Sequence, residues 1–261
     1  MNDNETKKDT ERILEGPSIR DTVMHGLVEV NSHPLLLLFW LVTSTAIVLF
    51  NRMTLDIYIK APLFLVSGIL ALFLMSGVMG SMELIIREKG WILAAVWYCA
   101  KLYFPRFILL GIILVITFFI LYIPAYVILE YYLGPPYFPE KDTLYILFAA
   151  ATVIGLLMAA FYMTFASSSI VIGNLLPLEA IERSFKIVMA NRMKVLYLWL
   201  VFVGSLAAVE LVFNILLGVE WRGKLVQNAI LSYLMIIMLM SVMYFNFAVT
   251  SRADLEIEYE A

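Results

Sequence analysis

Ionisable and amide side chains inside long apolar segments are the residues of this chain best suited to chemistry. Glu210 lies in SLAAVELVFNILLG, about 10 Å from the end of that segment at 1.5 Å per residue, and Asn214 follows one turn later. Asn246 lies in a second apolar segment and is suited to bonding across helices. A carboxylate within the hydrocarbon is costly, so Glu210 is expected either to bind a proton or cation, or to bond with a neighbouring helix. The sequence leaves both interpretations open.

Motifs for other kinds of chemistry are missing from the sequence. A copper path through the methionines around Met240 would need His or Cys companions, but Cys99, His25 and His33 lie elsewhere. No phosphate-binding loop, serine-hydrolase elbow, zinc-protease motif or Cys-x-x-Cys pair occurs. We therefore predict no cofactor, no metal site, no nucleic-acid partner and no enzymatic activity. An enzyme within the membrane would need a second polar group facing Glu210.

The composition indicates which elements position these residues. Hydrophobic residues make up 62% of the chain and charged residues 15%, whereas a soluble globular protein is about half apolar and about a quarter charged. This balance is typical of a polytopic membrane protein that contacts the lipid bilayer. We predict an all-α fold with six spans arranged as three hairpins, a disordered polar tail over 1–16, a membrane domain over 17–252 and an acidic tail over 253–261. The predicted spans are 34–50, 61–84, 106–131, 144–171, 194–217 and 227–250.

The distribution of basic residues predicts an orientation. Thirteen of the 18 Lys and Arg residues lie on the side of the predicted spans that holds both termini, and five lie on the other side. Basic residues in short loops favour the cytoplasm. Both termini are therefore predicted to be cytoplasmic, in a plasma membrane.

Amphipathic helices precede two of the predicted hairpins. The segment PLEAIERSFKIVMAN, 177–191, places Leu178, Ile181, Phe185 and Val188 on one helical face and ends near Asn191. The segment SIRDTVMHGLVEVNSHP, 18–34, begins with a capping motif. When Pro34 and Arg192 are aligned, three apolar positions coincide in the two helices: Val23, Leu27 and Val30 fall on Ile181, Phe185 and Val188.

A third and weaker copy lies over 88–107 and is expected to end at Pro105, with Ala95, Cys99 and Leu102 on its apolar face. The chain is therefore predicted to contain three repeated units, 18–87, 88–172 and 177–250. Each unit consists of a cytoplasmic-side amphipathic helix followed by a hairpin of two spans.

The polar face of the 177–191 helix is a candidate partner surface. It carries acidic and basic residues four positions apart, in the order that stabilises a helix. Such a helix either lies in the headgroup layer as a platform or offers its face to a cytoplasmic or membrane protein. The mixed charge argues against a patch for anionic lipid alone. The residues of this face are Glu179, Glu182, Arg183 and Lys186.

The stretch AIERSFKIVMANRMKVLYLWL resembles a group of prokaryotic integral membrane proteins related to the membrane domain fused to some glycerophosphodiester phosphodiesterases. Archaeal members are similar in an R-D-x-x-x-x-G-L helix followed by a proline. Here the matching residues are Arg20, Asp21, Gly26, Leu27 and Pro34. The resemblance implies a membrane fold and almost no mechanism, because the phosphodiesterase activity belongs to a soluble barrel for which this chain has no room.

Two functions follow from these features. The first is a non-enzymatic scaffold or accessory component that acts through lipid or protein contacts. The alternative is a small permease for a lipid-like or apolar solute, with Glu210 inside the bundle. Small residues close the second and fourth spans and indicate either tight helix packing or a polar vestibule. They are Gly77, Gly80, Ser81, Ser167, Ser168, Ser169 and Gly173.

Overall fold

The computed structural model describes residues 16–51, 57–87, 93–133, 151–152, 154–155, 157–216 and 221–260. Every regular element in these ranges is a helix, which confirms the all-α prediction. The helices are α1 (Ile19–Ser32), α2 (Pro34–Asn51), α3 (Ile57–Ile86), α4 (Leu93–Leu133), α5 (Ala166–Ile172), α6 (Pro177–Ala190), α7 (Arg192–Leu216) and α8 (Trp221–Glu260).

Four helical segments in the described residues are long and apolar enough to cross a membrane. They are Val66–Ile86, Leu93–Thr117, Arg192–Phe213 and Val226–Ser251. A fifth arises if α1 and α2, which meet at a bend of 90°, form one broken span. The predicted fourth span, 144–171, lies partly outside the described residues, and its described end belongs to the shorter apolar helix Leu157–Ile172. The structure thus has several membrane-compatible helices and leaves the predicted number of six as a proposal.

Local sequence accounts for the ends of α1 and α6. Ser18 caps α1 by accepting a hydrogen bond from the Asp21 N–H at 3.1 Å, as the capping motif predicts. At α6 the Glu179 carboxylate accepts from the Leu176 N–H at 3.1 Å, and Pro177 suits the first helical turn. The two helices each have 14 residues and are capped at their C-terminal ends by His33 and Asn191, which directly precede Pro34 and Arg192.

The buried positions of α1 and α6 also correspond under the alignment of Pro34 with Arg192. The contacting stripe in both helices is made of small or β-branched residues, which let a helix approach its neighbour closely. Thr22, Gly26 and Val30 are buried in α1, and Ala180, Ser184 and Val188 are buried at the equivalent positions of α6.

The predicted apolar face of α6 is partly wrong. Leu178 and Phe185 are 69% and 48% exposed, whereas Ala180, Ser184 and Ile187 are buried. The packed face of α6 is rotated toward its small side chains, because Ser184 is bonded to the residues just before α5. Its Oγ donates to Tyr162 O at 2.7 Å and accepts from the Phe165 N–H at 3.0 Å. Of the larger apolar side chains, Leu178 and Phe185 remain on the outside of the helix, whereas Ile187 is packed.

The predicted break at Pro105 is also wrong, because α4 is one helix of 41 residues that continues through it. Proline removes one hydrogen bond from a helix, and helices of membrane proteins tolerate this loss. The third surface helix is therefore the first part of α4 and not a separate element. Its buried face differs from the prediction as well, since Val96, Cys99 and Ala100 are buried while Leu102 is 48% exposed.

Helices α3, α5 and α8 contact one another and form the centre of the bundle. Helix α1 packs on α8, where a Cβ on Gly26 would stand 2.3 Å from Ser241 Oγ. The first part of α4 packs on α3, where a Cβ on Gly77 would stand 2.4 Å from Val96 O. Helix α6 packs on α5 and on the residues just before it. Each of the three surface segments, namely α1, the first part of α4 and α6, therefore packs on one of the three central helices.

The chain before α1 is anchored as well, up to the predicted boundary of the N-terminal tail. The Gly16 N–H donates to Asn191 Oδ1 at 2.8 Å, and Lys194 Nζ donates to Gly16 O at 2.7 Å. These bonds tie the entry to α1 to the junction of α6 and α7. Residues 1–15, the rest of the predicted tail, lie outside the described residues.

Candidate functional site

A buried polar cluster lies between the central helices α5 and α8. Asn246 of α8 is fully buried, and its Nδ2 donates to Ser168 Oγ at 2.7 Å and to Ser169 Oγ at 3.0 Å. Both serines belong to α5 and are themselves buried. The cross-helix bonding expected for Asn246 is therefore present, and the small residues that close the predicted fourth span supply its partners.

The cluster extends from Asn246 toward the end of α8. Thr250 Oγ1 donates to Asn246 O at 2.8 Å and accepts from Arg183 Nη2 at 2.6 Å. Arg183, predicted as part of the partner surface on α6, is thus half-buried and directed toward α8. A chain of hydrogen bonds consequently joins α5, α8 and α6.

The carboxyl end of α5 is held by side chains from α3 and α4. Arg87 Nη2 donates to Ile172 O at 3.2 Å, and Tyr103 Oη donates to Val171 O at 3.4 Å. The last carbonyls of a helix have no partner within it, and the Arg87 bond supplies one for Ile172 O. Val171 O accepts from the Asn174 N–H as well, at 3.4 Å. Arg87 also forms an ion pair with Glu83, with its Nε 2.9 Å from the carboxylate.

A tight connection follows α5. Asn174 has a φ of 50°, in the left-handed region that asparagine tolerates better than most residues, and its Oδ1 accepts from Arg106 Nη1 at 2.5 Å. Arg183 Nη1 lies 3.1 Å from the position that a Cβ on Gly173 would occupy. Arg87 just after α3, Arg106 of α4 and Arg183 of α6 therefore converge on residues 172–174. The sequence reasoning missed this convergence, although the Gly-Asn pair after an apolar helix is a local signal for such a turn.

The chemistry available around Asn246 is hydrogen bonding between neutral groups, and the Arg183 guanidinium joins the cluster at Thr250. An amide, two serine hydroxyls and a threonine hydroxyl meet there, and Ser168 Oγ is also bonded to Phe165 O at 2.9 Å. A buried polar network whose members are bonded to one another fixes the mutual position of helices. The arrangement is suited to holding α5 against α8.

Glu210 lies away from this cluster. It is an exposed residue of α7, and its Oε2 accepts from Gln227 Nε2 of α8 at 2.5 Å. This geometry is that of a carboxylate bonded to a neighbouring helix. Asn214 belongs to α7, but its side chain lies outside the described residues. The structure therefore brings Glu210 and Asn246 to different places on the bundle.

A cavity of about 420 Å³ lies between α2 and α3, with a mostly apolar lining. Trp40 is part of the lining, and its indole N–H is buried without a hydrogen-bond partner in the described part of the chain. The lining does not include Glu210. Its residues are Trp40, Thr43, Ser44, Gly68, Ala71, Leu72, Leu74 and Met75.

The candidate partner surface on α6 has a defined arrangement around the helix. Glu182 and Lys186 form a salt bridge of 2.7 Å with side-chain exposures of 67% and 62%. Lys186 lowers the pKa of Glu182 through a hydrogen bond and its positive charge. At about 100° per residue, the exposed apolar residues Leu178, Phe185 and Met189 occupy a second face, between the charged face and the buried one. Helix α6 thus has a packed, an apolar and a charged face.

No known protein family, curated protein or solved structure matches this chain. The resemblance to the membrane domain of glycerophosphodiester phosphodiesterases therefore stays a prediction.

Proposed function

We propose that this chain is a six-span plasma-membrane protein with both termini in the cytoplasm, built from the three units 18–87, 88–172 and 177–250. The corresponding ends and buried positions of α1 and α6 support a common origin for the first and third units. The packing order supports a cyclic arrangement of all three units. Each surface segment packs on the helix that ends the preceding unit: α4 on α3, α6 on the α5 end, and α1 on α8.

The orientation has a direct test. A reporter that is active only in the cytoplasm, fused after residue 261, is expected to be active, and the same reporter inserted in 134–143 is expected to be inactive. The charge distribution in the sequence is the reason for this expectation. The opposite pattern, or equal activity at both positions, would overturn the proposed topology.

Within this architecture we propose a non-enzymatic scaffold or accessory component of the membrane. The proposal rests on the arrangement of α6. This helix packs on the bundle through its small residues and presents Glu182 and Lys186 to the outside. Its apolar face suits the hydrocarbon boundary, and its charged face is then directed at the cytoplasm. The hydrogen-bonded core formed by Asn246, Ser168 and Ser169 holds the helices that support α6.

Exchange of the two charges on α6 tests the scaffold proposal. The double variant Glu182→Lys with Lys186→Glu keeps opposite charges four residues apart, so the helix is retained while the pattern of its surface is inverted. Affinity purification from native membranes is expected to recover a partner with the wild-type protein and to lose it with the double variant. A Met189→Leu variant, which leaves the charged face unchanged, serves as the matched control.

Two results would count against this function. One is the absence of any reproducible partner of the wild-type protein, together with no assembly defect when the protein is deleted. The other is recovery of the same partner, at equal yield, with the charge-exchanged variant.

A further inference from the structure

The three arginines that surround the α5–α6 connection come from separate parts of the fold. Arg87 follows α3, Arg106 belongs to α4 and Arg183 belongs to α6. Arg87 contacts Ile172 O and Arg106 contacts the side chain of Asn174, two residues further along the chain. A cluster of guanidinium groups is a surface for anions, because the planar group with five N–H donors matches the oxygens of a phosphate.

Arg106 has the largest share of its donors available. Among the described residues it makes one hydrogen bond, from Nη1 to Asn174 Oδ1, and the side chain is partly exposed. Arg87 is more engaged, since Nε bonds Glu83, Nη2 bonds Ile172 O and the guanidinium carbon lies 5.3 Å from the centre of the Phe247 ring. The bonds that Arg87 and Arg183 make within the protein fix their guanidinium groups around the connection. Arg106 lies at the edge of this cluster.

The position of the cluster along the helices identifies the source of the anion. The connection directly follows the apolar helix Leu157–Ile172, and α6 is followed by the membrane-compatible segment Arg192–Phe213, so the connection and α6 lie between two apolar segments. Arg106 stands where the third span is predicted to begin, and Arg87 stands directly after the end of α3. The cluster therefore lies at the level of the lipid headgroups on the predicted cytoplasmic side.

We propose that Arg87, Arg106 and Arg183 form a binding site for the phosphate of an anionic phospholipid in the inner leaflet. The negative charge of the leaflet complements the cluster, and Arg106 is the group that contacts the phosphate through its remaining N–H donors. The site lies apart from the Glu182–Lys186 face of α6, so this inference goes beyond the proposed scaffold function and does not require a protein partner.

The experiment uses the purified full-length protein in detergent with either phosphatidylglycerol or phosphatidylcholine added at equal mole fraction. Native mass spectrometry counts the retained lipids, and the midpoint of thermal unfolding reports stabilisation. Wild-type protein is expected to retain phosphatidylglycerol in preference to phosphatidylcholine. Arg106→Gln is expected to weaken that retention about fivefold, as for the loss of one cation near a charged surface.

Matched variants distinguish lipid binding at this site from general electrostatic attraction between the protein and the anionic lipid. Lys101→Gln removes an exposed cation on the same helix that lies over the Trp97 ring, and it is expected to leave retention unchanged. Arg106→Lys keeps the charge but loses the planar fork, so an intermediate effect is expected. Equal retention of the two lipids, or an equal loss in Lys101→Gln and Arg106→Gln, would overturn the proposal.

A titration with inorganic phosphate distinguishes the source of the anion. Millimolar phosphate is expected to give little stabilisation, because the apolar chains of the lipid contribute to its binding. If inorganic phosphate alone raised the unfolding midpoint as much as phosphatidylglycerol, and Arg106→Gln abolished that effect, the site would serve a soluble anion and the lipid proposal would be wrong.

Discussion

Replacing Asn246 by alanine is expected to loosen the centre of the bundle. The side chain is fully buried and donates two hydrogen bonds across helices, at 2.7 Å to Ser168 and 3.0 Å to Ser169. Hydrogen bonds between membrane helices contribute about 0.6 kcal/mol each on average and at most about 1.7 kcal/mol. The coupling energy between Asn246 and the two serines is therefore expected to be about 1 kcal/mol and not above about 3 kcal/mol.

We expect a coupling energy in the lower part of this range because of the surroundings of Ser168. Its hydroxyl still donates to Phe165 O at 2.9 Å after Asn246 is removed, so no buried donor is orphaned there. The Asn246→Ala variant loses packing as well, so its total cost is expected to exceed the coupling energy. Only a double-mutant cycle separates the two contributions.

The cycle compares Asn246→Ala, the pair Ser168→Ala with Ser169→Ala, and the triple variant, with unfolding free energies measured by steric trapping in bicelles. Asn228 is a matched control on the same helix, because its Nδ2 makes one bond of 3.2 Å to Thr45 Oγ1 in a half-buried setting. The Asn228–Thr45 coupling is expected to be smaller, about 0.6 kcal/mol or less. An Asn246 coupling near zero, or no larger than this control, would refute the view that the cluster holds α5 against α8.

Three further predictions concern other parts of the bundle. Gly77→Ala is expected to lower stability by about 1–3 kcal/mol relative to Gly68→Ala, because a Cβ at Gly77 meets a backbone carbonyl at 2.4 Å whereas Gly68 faces open space; equal unfolding midpoints in detergent would contradict this. Lys186→Met is expected to raise the pKa of Glu182, since the partner that lowers it is removed, and a carboxyl carbon NMR titration that finds no change would disprove the pairing in solution. Glu210→Gln is expected to leave solute flux in proteoliposomes unchanged, and a loss of transport would instead favour the permease.

The linkage between pH and the Glu182–Lys186 pair has a defined sign. The pKa of Glu182 is lowered in the folded protein, so the pair contributes while Glu182 is ionised, above the ordinary pKa of the carboxyl group. The contribution is lost as the pH falls through the lowered pKa. Because both side chains are largely exposed, solvent screening keeps the effect on stability small.

The sequence by itself determined the helical class, several apolar segments and the local ends of α1 and α6. These features depend on residues within one helical turn of each other: Ser18 with Asp21, Glu179 with Leu176, and Glu182 with Lys186. Local contacts of this kind are decided before the chain has a tertiary structure, which is why the capping motif and the salt bridge were predictable.

The tertiary structure alone decided which helical faces are buried. In a membrane protein, an apolar side chain such as Phe185 can face lipid as readily as a neighbouring helix, so hydrophobic periodicity does not distinguish the two. Close approach favours small residues instead, and that is why Ala180 and Ser184 line the contact of α6. The contacts of Asn246 with Ser168, and of Arg106 with Asn174, join segments 78 and 68 residues apart, and only the packed helices bring them together.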